Sequence, residues 1–190
     1  MLFVVKYTGP FGFIKPWTAV RDSETFSQQF LTPSIVEGIE KKLFPELLQN
    51  RGIQKIVRHR LSYQGLDFQI EVTWSKGLSK KTNPYLKNRS IITRGVMLNP
   101  FLYLAFNSES DAKQALIQTI CLARNEDLLY PEKIIEIPEL DFDKITGFEL
   151  FLSNKLKGFK VGYNRFDKSE MYGELKIFGN PIRVENEEFI

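Results

Sequence analysis

The stretch SKGLSKKTNPYLKNRS, residues 75–90, lies between two segments with strong β patterns and contains no acidic residue. Lysine and arginine neutralise phosphates, and an acid-free tip between two strands could bring several cations to one polyanion backbone. An aromatic residue in the same stretch could stack on an unpaired RNA base. From charge alone, a solvated hairpin end explains the stretch equally well. The candidate residues are Lys76, Lys80, Lys81, Tyr85, Lys87 and Arg89.

His59 is the only histidine of the chain and lies between Arg58 and Arg60. An imidazole there could act as a general base near an RNA 2′-hydroxyl, with Tyr63 or a lysine assisting. The alternative is a surface or phosphate-facing histidine on a basic strand, with the two arginines contributing to RNA binding. Both interpretations remain open at this stage.

Charge is unevenly distributed although the net charge is only +3. Residues 47–66 and 72–107 contain no acid, whereas residues 126–149 contain eight acids and two lysines. We therefore expect one strongly positive and one strongly negative region. The acids at 126–127 and 141–143 could be solvated turns as easily as metal ligands, but no third partner has readable spacing, so no metal site is predicted.

The sequence contains no motif for nucleotide binding, serine hydrolysis or zinc proteolysis. The chain lacks the glycine-rich nucleotide-binding loops, the serine-hydrolase elbow and the zinc-protease helix. The single Cys121 excludes an intramolecular disulfide, which is typical of a reducing compartment. The apolar start of the chain is broken at Lys6, far short of a membrane span. We expect a cytoplasmic protein without a membrane partner or cofactor.

The elements that must position these residues follow from periodicity and from turn-forming residues. The pattern predicts strands at 1–9, 52–64, 66–74, 90–106 and 133–140, and helices at 31–44 and 108–129. The long aromatic segment 11–30 is predicted to be a loop, with Phe11 and Phe13 in the core. Asn99-Pro100 predicts a bulge, an edge position or a break in its strand.

Two helix starts have good capping chemistry. In the first, Thr32 can cap with Pro33 at the first helical position, or Ser34 can cap with Glu37 in a capping box. Glu40 is expected on the polar side of that helix. In the second helix, Ser108 or Ser110 can serve as the cap.

The order strand, helix, strand, hairpin, strand, helix, strand is that of an α+β, ferredoxin-like (RRM-like) fold. We predict a ferredoxin-like domain at residues 1–140 that includes a long β-hairpin at 75–90. Residues 141–190 are predicted to form a β-rich extension packed on that domain.

Three segments, in chain order, resemble the CRISPR-associated "Cas five" family, RAMP-superfamily subunits of the Cascade effector complex, with type I-B-like members most similar. GPFGFIKPWTAVRDSETFSQQFLTPSIVEGIEKKL is similar to the family's opening, with Pro33 capping the helix and Gly38 on its packing face. RGVMLNPFLYLAF resembles the "E-x-L-x-N-P" strand, and CLARNEDLLYPEKI resembles the helix-ending "L-G-x-x-E-x-x" segment.

The resemblance implies a structural subunit that caps the 5′ handle of the CRISPR RNA and contacts the backbone and large subunits. Target DNA would be met through the complex. The hairpin at 75–90 would be the family's thumb, and we expect the RNA surface to extend from it to Arg94, Lys15, Trp17 and Arg21. Two alternatives are kept: a metal-independent endoribonuclease that processes precursor CRISPR RNA, and a scaffold that contacts only proteins.

Overall fold

A computed structural model describes residues 1–16, 23–78, 87–164 and 166–182, with the backbone alone described at 74–78 and 87–88. The described residues are strand-rich and contain short helices, which confirms the predicted α+β class. The elements are β1 (Leu2–Thr8), β2 (Phe11–Gly12), β3 (Glu24–Phe26), α1 (Pro33–Leu43), β4 (Ile56–Ser62), β5 (Gly65–Leu78), β6 (Lys87–Leu98), β7 (Phe101–Phe106), α2 (Glu109–Leu116), β8 (Ile120–Cys121), β9 (Leu128–Ile137), β10 (Gly147–Ser153), β11 (Phe159–Tyr163) and β12 (Glu170–Phe178), with 3₁₀ turns at Pro45–Leu47 and Glu139–Lys144.

The larger sheet formed by the described residues has eight strands in the order β11-β12-β10-β4-β7-β1-β9-β8. Its strand pairs are antiparallel. Helix α1 connects β1 to β4, and α2 connects β7 towards β9. Strand β10 pairs with β4, so the strands that follow the 3₁₀ turn Glu139–Lys144 continue the same sheet.

Strands β5 and β6 form a long antiparallel hairpin, called the ribbon below, in a second sheet with β2 and β3. The chain leaves the larger sheet after β4 and returns to it at β7. At the return, Asn99 adopts a left-handed φ of 43° and its amide donates to Gln64 Oε1 at 2.6 Å. The break predicted at Asn99-Pro100 is therefore the point where the chain passes from one sheet to the other.

The central strands of the larger sheet are buried on both faces, and alternate side chains of β1 point into two different apolar clusters. Val5 and Tyr7 belong to the cluster that includes residues of α1 and α2. Val4 packs on the opposite face with Phe142, which lies in the 3₁₀ turn Glu139–Lys144, and with Ile145, which follows that turn. The central strands are thus held between two layers.

Helix α1 begins as predicted, with Thr32 at the N-cap and Pro33 in the first turn. The Thr32 side chain makes no capping hydrogen bond. The alternative capping box is wrong, because the Glu37 carboxylate turns towards Lys41 and the backbone N–H of Gly52. Proline alone supplies the start, since it needs no partner for a missing N–H.

The expectation that Glu40 lies on the polar side of α1 is wrong. Its side chain has no exposed surface, and its carboxylate accepts hydrogen bonds from the backbone N–H groups of Gln54, Lys55 and Ile56. A buried carboxylate is stable when such donors replace water. Glu40 therefore fixes the entry of the chain into β4.

The second helix and the last predicted strand have different lengths from those expected. Ser108 caps α2 through a contact from the Asp111 N–H at 3.5 Å, but the helix ends at Leu116. Ile120 and Cys121, which were predicted to continue the helix, form β8, where Ile120 pairs with Leu129. Strand β9 therefore starts earlier than predicted and includes Pro131, beside a bulge in its pairing with β1.

The segment 11–30, predicted to be a loop, supplies two short strands within its described part, β2 and β3, both paired with β6. Among the described residues, no helix has the length and apolar character needed to cross a bilayer.

Candidate nucleic-acid interface

The ribbon carries the predicted thumb at its far end. Its strands pair from Gly65 opposite Leu98 to Trp74 opposite Arg89, and again at Leu78 opposite Lys87. The strands flanking the basic stretch therefore form the predicted hairpin. Several predicted RNA-binding residues lie outside the described residues or have only their backbone described: Trp17, Arg21, Lys80, Lys81 and Tyr85 in the first group, Lys76 and Lys87 in the second.

Two predicted arginines are described on β6. Arg89 lies on the β6 side of the predicted thumb and is exposed. Arg94 lies farther along β6, towards the end of the ribbon that joins the rest of the protein, which are called the root and the body below. Its guanidinium is 5.4 Å from the centre of the Phe13 ring, and its Nε is 3.7 Å from Glu71 Oε2. Phe13 is only 3% exposed, which agrees with its predicted place in the core. Arg94 thus lies at the root of the ribbon.

A second arginine, Arg124, contacts the same side of the ribbon root as Arg94. Its guanidinium donates to Asp127 Oδ1 at 2.7 Å, to Gln69 Oε1 at 3.0 Å and to Glu71 Oε1. Asp127 is fully buried, and the hydrogen bond to it raises the pKa of Arg124. Such charge-assisted bonds in a half-buried site are strong and geometrically specific. They tie β5 to the turn before β9.

Phe13 and Glu71 join the two arginines into one cluster, defined here as the root cluster: Arg94, Arg124, Glu71, Asp127 and Phe13. The Arg124 guanidinium is also 5.4 Å from the Phe13 ring, so both arginines contact it. Glu71 meets both arginines through its two oxygens. The carboxylates of this cluster neutralise its arginines, and the cluster fixes the root of the ribbon against the body.

Sequence analysis missed this cluster. It left Glu126-Asp127 as either a solvated turn or a pair of metal ligands, whereas Asp127 is buried against Arg124. One signal was available, since Gln69 and Glu71 alternate with apolar residues along β5 and so share one face. The partner, Arg124, is more than fifty residues away in sequence and comes close only through the fold.

Lys15, the described member of the predicted loop surface, is exposed and lines a cavity of about 250 Å³. The cavity lies between α1 and the segment after α2, and it is lined by Gly38, Lys42 and Cys121 among others. Lys42 Nζ donates to the Cys121 carbonyl at 2.7 Å. Lys15 is therefore placed to add positive charge beside α1.

Arg58 and Arg60 have internal partners. The Arg60 side chain has no exposed surface and contacts Glu149, Asp143 and the ring of Phe178, 3.5 Å from its guanidinium. Arg58 binds Glu149 through two nitrogens at 2.8 Å. Hydrogen bonding from Arg58 lowers the pKa of Asp143, which stays ionised. Here parts of the basic segment 47–66 and of the acidic segment 126–149 neutralise each other inside the protein.

His59 faces the interior. It is 8% exposed, and burial, together with the charges of Arg60 and Arg58, lowers its pKa to about 3. Its Nε2 is the one buried side-chain polar atom of the described residues without a hydrogen-bond partner. Tyr63 is also fully buried, and its hydroxyl donates to Gln29 Oε1 at 2.6 Å. His59 is neutral at pH 7 and far weaker as a base than catalysis near pH 7 requires.

Within the described ranges, no three histidine, cysteine or acidic side chains converge as a metal site would require. The Cys121 thiol donates to the Arg124 carbonyl at 2.9 Å.

The ribbon also has an exposed apolar side that sequence analysis recorded only as strand alternation. Phe68, Ile70 and Val72 of β5 are 54%, 71% and 56% exposed. Their neighbours Gln69 and Glu71 face the body, so this side points away from it.

No protein-family model matches this chain, and no curated protein sequence does. Its fold is similar to that of a chain in a solved structure described as a CRISPR RNA-guided surveillance complex, with a TM-score of 0.54. The two sequences are 10% identical, and the match covers 99% of this chain and 95% of the other. At this identity the likeness is one of fold, and it extends over nearly the whole length of both chains.

Proposed function

We propose that this chain is an RNA-binding structural subunit of a type I Cascade surveillance complex, of the "Cas five" kind. It caps the 5′ handle of the guide RNA, contacts the backbone and large subunits, and meets target DNA through the complex in the cytoplasm. The observation that carries the proposal is the near full-length similarity to a chain of a CRISPR RNA-guided complex.

The sheet order supports the ferredoxin-like assignment within this proposal. The four central strands lie in the order β4-β7-β1-β9. Numbered along the chain as the four strands of the predicted core, that order is 2-3-1-4, with one helix after the first strand and one after the third. Sequence periodicity predicted the same alternation of elements.

The ribbon supports the proposed grip on RNA. It projects its acid-free end from a root that the root cluster fixes, and Arg89 is exposed along it. Cations spaced along a hairpin can follow a phosphate backbone, and each phosphate contact releases condensed counterions. We assign phosphate contacts to Lys76, Lys80, Lys81, Lys87 and Arg89, and stacking to Tyr85.

The environment of His59 favours a binding role over cleavage. A buried imidazole with a pKa of about 3 is a poor base for a 2′-hydroxyl, and its tyrosine neighbour in sequence is buried as well. We therefore propose that the chain is not an endoribonuclease. Incubation of the pure protein with repeat RNA in EDTA should leave the RNA intact, whereas a unique cut lost in His59→Ala would contradict this part of the proposal.

The binding part is tested with two RNAs of equal length, one carrying the 5′ handle of the repeat and one with that handle scrambled. Fluorescence anisotropy should show tighter binding of the handle RNA by about tenfold or more. Equal and weak binding of both RNAs would contradict the proposed cap.

A further inference from the structure

One side of the ribbon is apolar and uncovered by the described part of the chain. This surface, the ribbon face, consists of Phe26, Phe68, Ile70, Val72 and Ile91. Ile70 and Ile91 are 71% and 63% exposed, and the two phenylalanines are about half exposed. Isolated apolar residues on a surface need no explanation, but a contiguous group of this size is typical of an interaction site.

Strand register makes the face contiguous. Val72 lies directly opposite Ile91, and Phe68 lies opposite Gly95. Gly95 has no side chain, and the Phe26 ring fills the space where a Cβ would point. Phe26 and Phe68 then pack edge to face with centroids 5.3 Å apart. Paired residues of an antiparallel ladder share a side of the sheet, so these side chains form one patch.

The fold of the chain itself does not use this patch. The other side of β5, through Gln69 and Glu71, binds Arg124. Alternation of apolar and polar residues is the pattern of a strand with one buried face. In this ribbon, the polar face is the one that contacts the body, and the apolar face is left to solvent.

The chemistry of the face indicates a protein as its occupant. Three of its side chains are β-branched aliphatics, which pack against apolar side chains but offer no flat ring for a base. The edge-to-face arrangement of Phe26 and Phe68 suits apolar contact.

The surrounding charge argues against a second copy of the same chain. Residues 72–107, which include all of β6, contain no acid. The acids of the ribbon, Asp67 and Glu71, lie near its root, so a two-fold contact through the ribbon face would bring two acid-free, positive halves together, and like-charge juxtaposition is unfavourable. A partner with an apolar patch bordered by acidic side chains is complementary in both respects.

We propose that the ribbon face is the docking site for a neighbouring protein subunit whose contact surface is apolar with an acidic rim. This inference rests on the proposed function, since the partner is a protein of the same complex. One ribbon then has two roles: its basic end holds RNA, and its apolar face holds a protein.

The test compares the double variant Ile70→Ser and Val72→Ser with the control Leu140→Ser and Leu156→Ser. The control residues are 85% and 95% exposed elsewhere, so both variants remove exposed aliphatic side chains. Each tagged chain is co-expressed with guide RNA and the other subunits, captured and treated with ribonuclease. Retained subunits are then quantified by mass spectrometry.

The ribbon-face variant should retain at least about tenfold less of the neighbouring subunit than wild type does, and the control should retain as much as wild type. The isolated ribbon-face variant should still bind handle RNA within about twofold of wild type. Undiminished retention would overturn the inference. A tenfold loss of RNA affinity would instead assign the face to RNA, and a wild-type dimer abolished by the variant would assign it to a second copy.

Failure of the proposed function looks different. In that case the wild-type chain would neither bind guide RNA nor join the complex, which would contradict both the proposed function and this inference. If wild type binds RNA and joins the complex but the ribbon-face variant does so equally well, only the inference fails.

Discussion

Acidification from pH 7 to pH 5 should destabilise the protein mainly through His59. This residue is buried and neutral, with a pKa lowered from 6.5 to about 3. In the unfolded chain the imidazole regains its ordinary pKa. Between these two values the unfolded state binds a proton that the folded state does not, so stability falls as the pH drops below 6.5.

The magnitude follows from linkage. For an unfolded pKa of about 6.5 and a negligible folded uptake, the free energy of unfolding should decrease by about 1.9 kcal/mol between pH 7 and pH 5. No other histidine contributes, because His59 is the only one in the chain. The pKa of Asp143 is lowered, so its stabilising contribution is lost only at lower pH, as the pH falls through that lowered pKa.

Urea denaturation followed by circular dichroism at pH 7, 6 and 5 measures this effect. His59→Leu should remove most of the decrease and should be at least as stable as wild type at pH 7, since an unpartnered buried polar atom costs about 1–3 kcal/mol. Equal pH dependence in the two proteins would refute the reasoning. It would mean that His59 is accessible and protonated in the folded state, and a catalytic role for its imidazole would then have to be tested.

Two further predictions concern buried charges. Arg124→Ala should lower the free energy of unfolding by about 3 kcal/mol in urea denaturation, because it leaves the buried Asp127 carboxylate without its cation. The control Lys113→Ala should cost less than about 0.5 kcal/mol, because the ion pair of that lysine is exposed. A similar loss in both variants would mean that the root cluster does not hold the ribbon. Glu40→Ala should lower the free energy of unfolding by about 3 kcal/mol, because it leaves three backbone N–H groups without an acceptor. The control Glu46→Ala, at an exposed position, should cost less than about 1 kcal/mol. Equal losses of stability in the two variants would contradict the buried contact.

Local signals in the sequence were sufficient for the main elements. Apolar periodicity placed β1 and α1, and Pro33 marked the first turn of α1. Asn99-Pro100 marked a break because proline cannot donate to a ladder. The alternation along β5 and the acid-free stretch after it together indicated the hairpin.

Long-range partners could not be predicted in this way. Glu40 was expected to be exposed because helical spacing places it off the apolar face of α1, whereas its backbone donors come from residues 54–56. Arg60 looked available to phosphate until Asp143 and Glu149 were brought against it by β10 and the preceding turn. A charge pattern shows which residues are ionised, but only the fold shows which of them already have counter-ions.

The same limit applies to the two sides of the ribbon. Period-two alternation indicates that one side of β5 is polar and the other apolar, but not which side faces the body. In the structure the polar side faces it, because Glu71 and Gln69 meet Arg124 there.

The salt dependence of guide-RNA binding tests the central claim most directly. Affinity is measured across a salt series for wild type, for a variant with Lys76, Lys80, Lys81, Lys87 and Arg89 changed to glutamine, and for a control with five exposed lysines changed instead: Lys113, Lys144, Lys155, Lys157 and Lys168. Both variants remove the same total charge. If all five ribbon cations contact phosphate, the slope of log K against log salt should shrink by about 3.5 in the first variant and stay near wild type in the control. Equal slopes and affinities in all three proteins would contradict an RNA-binding thumb.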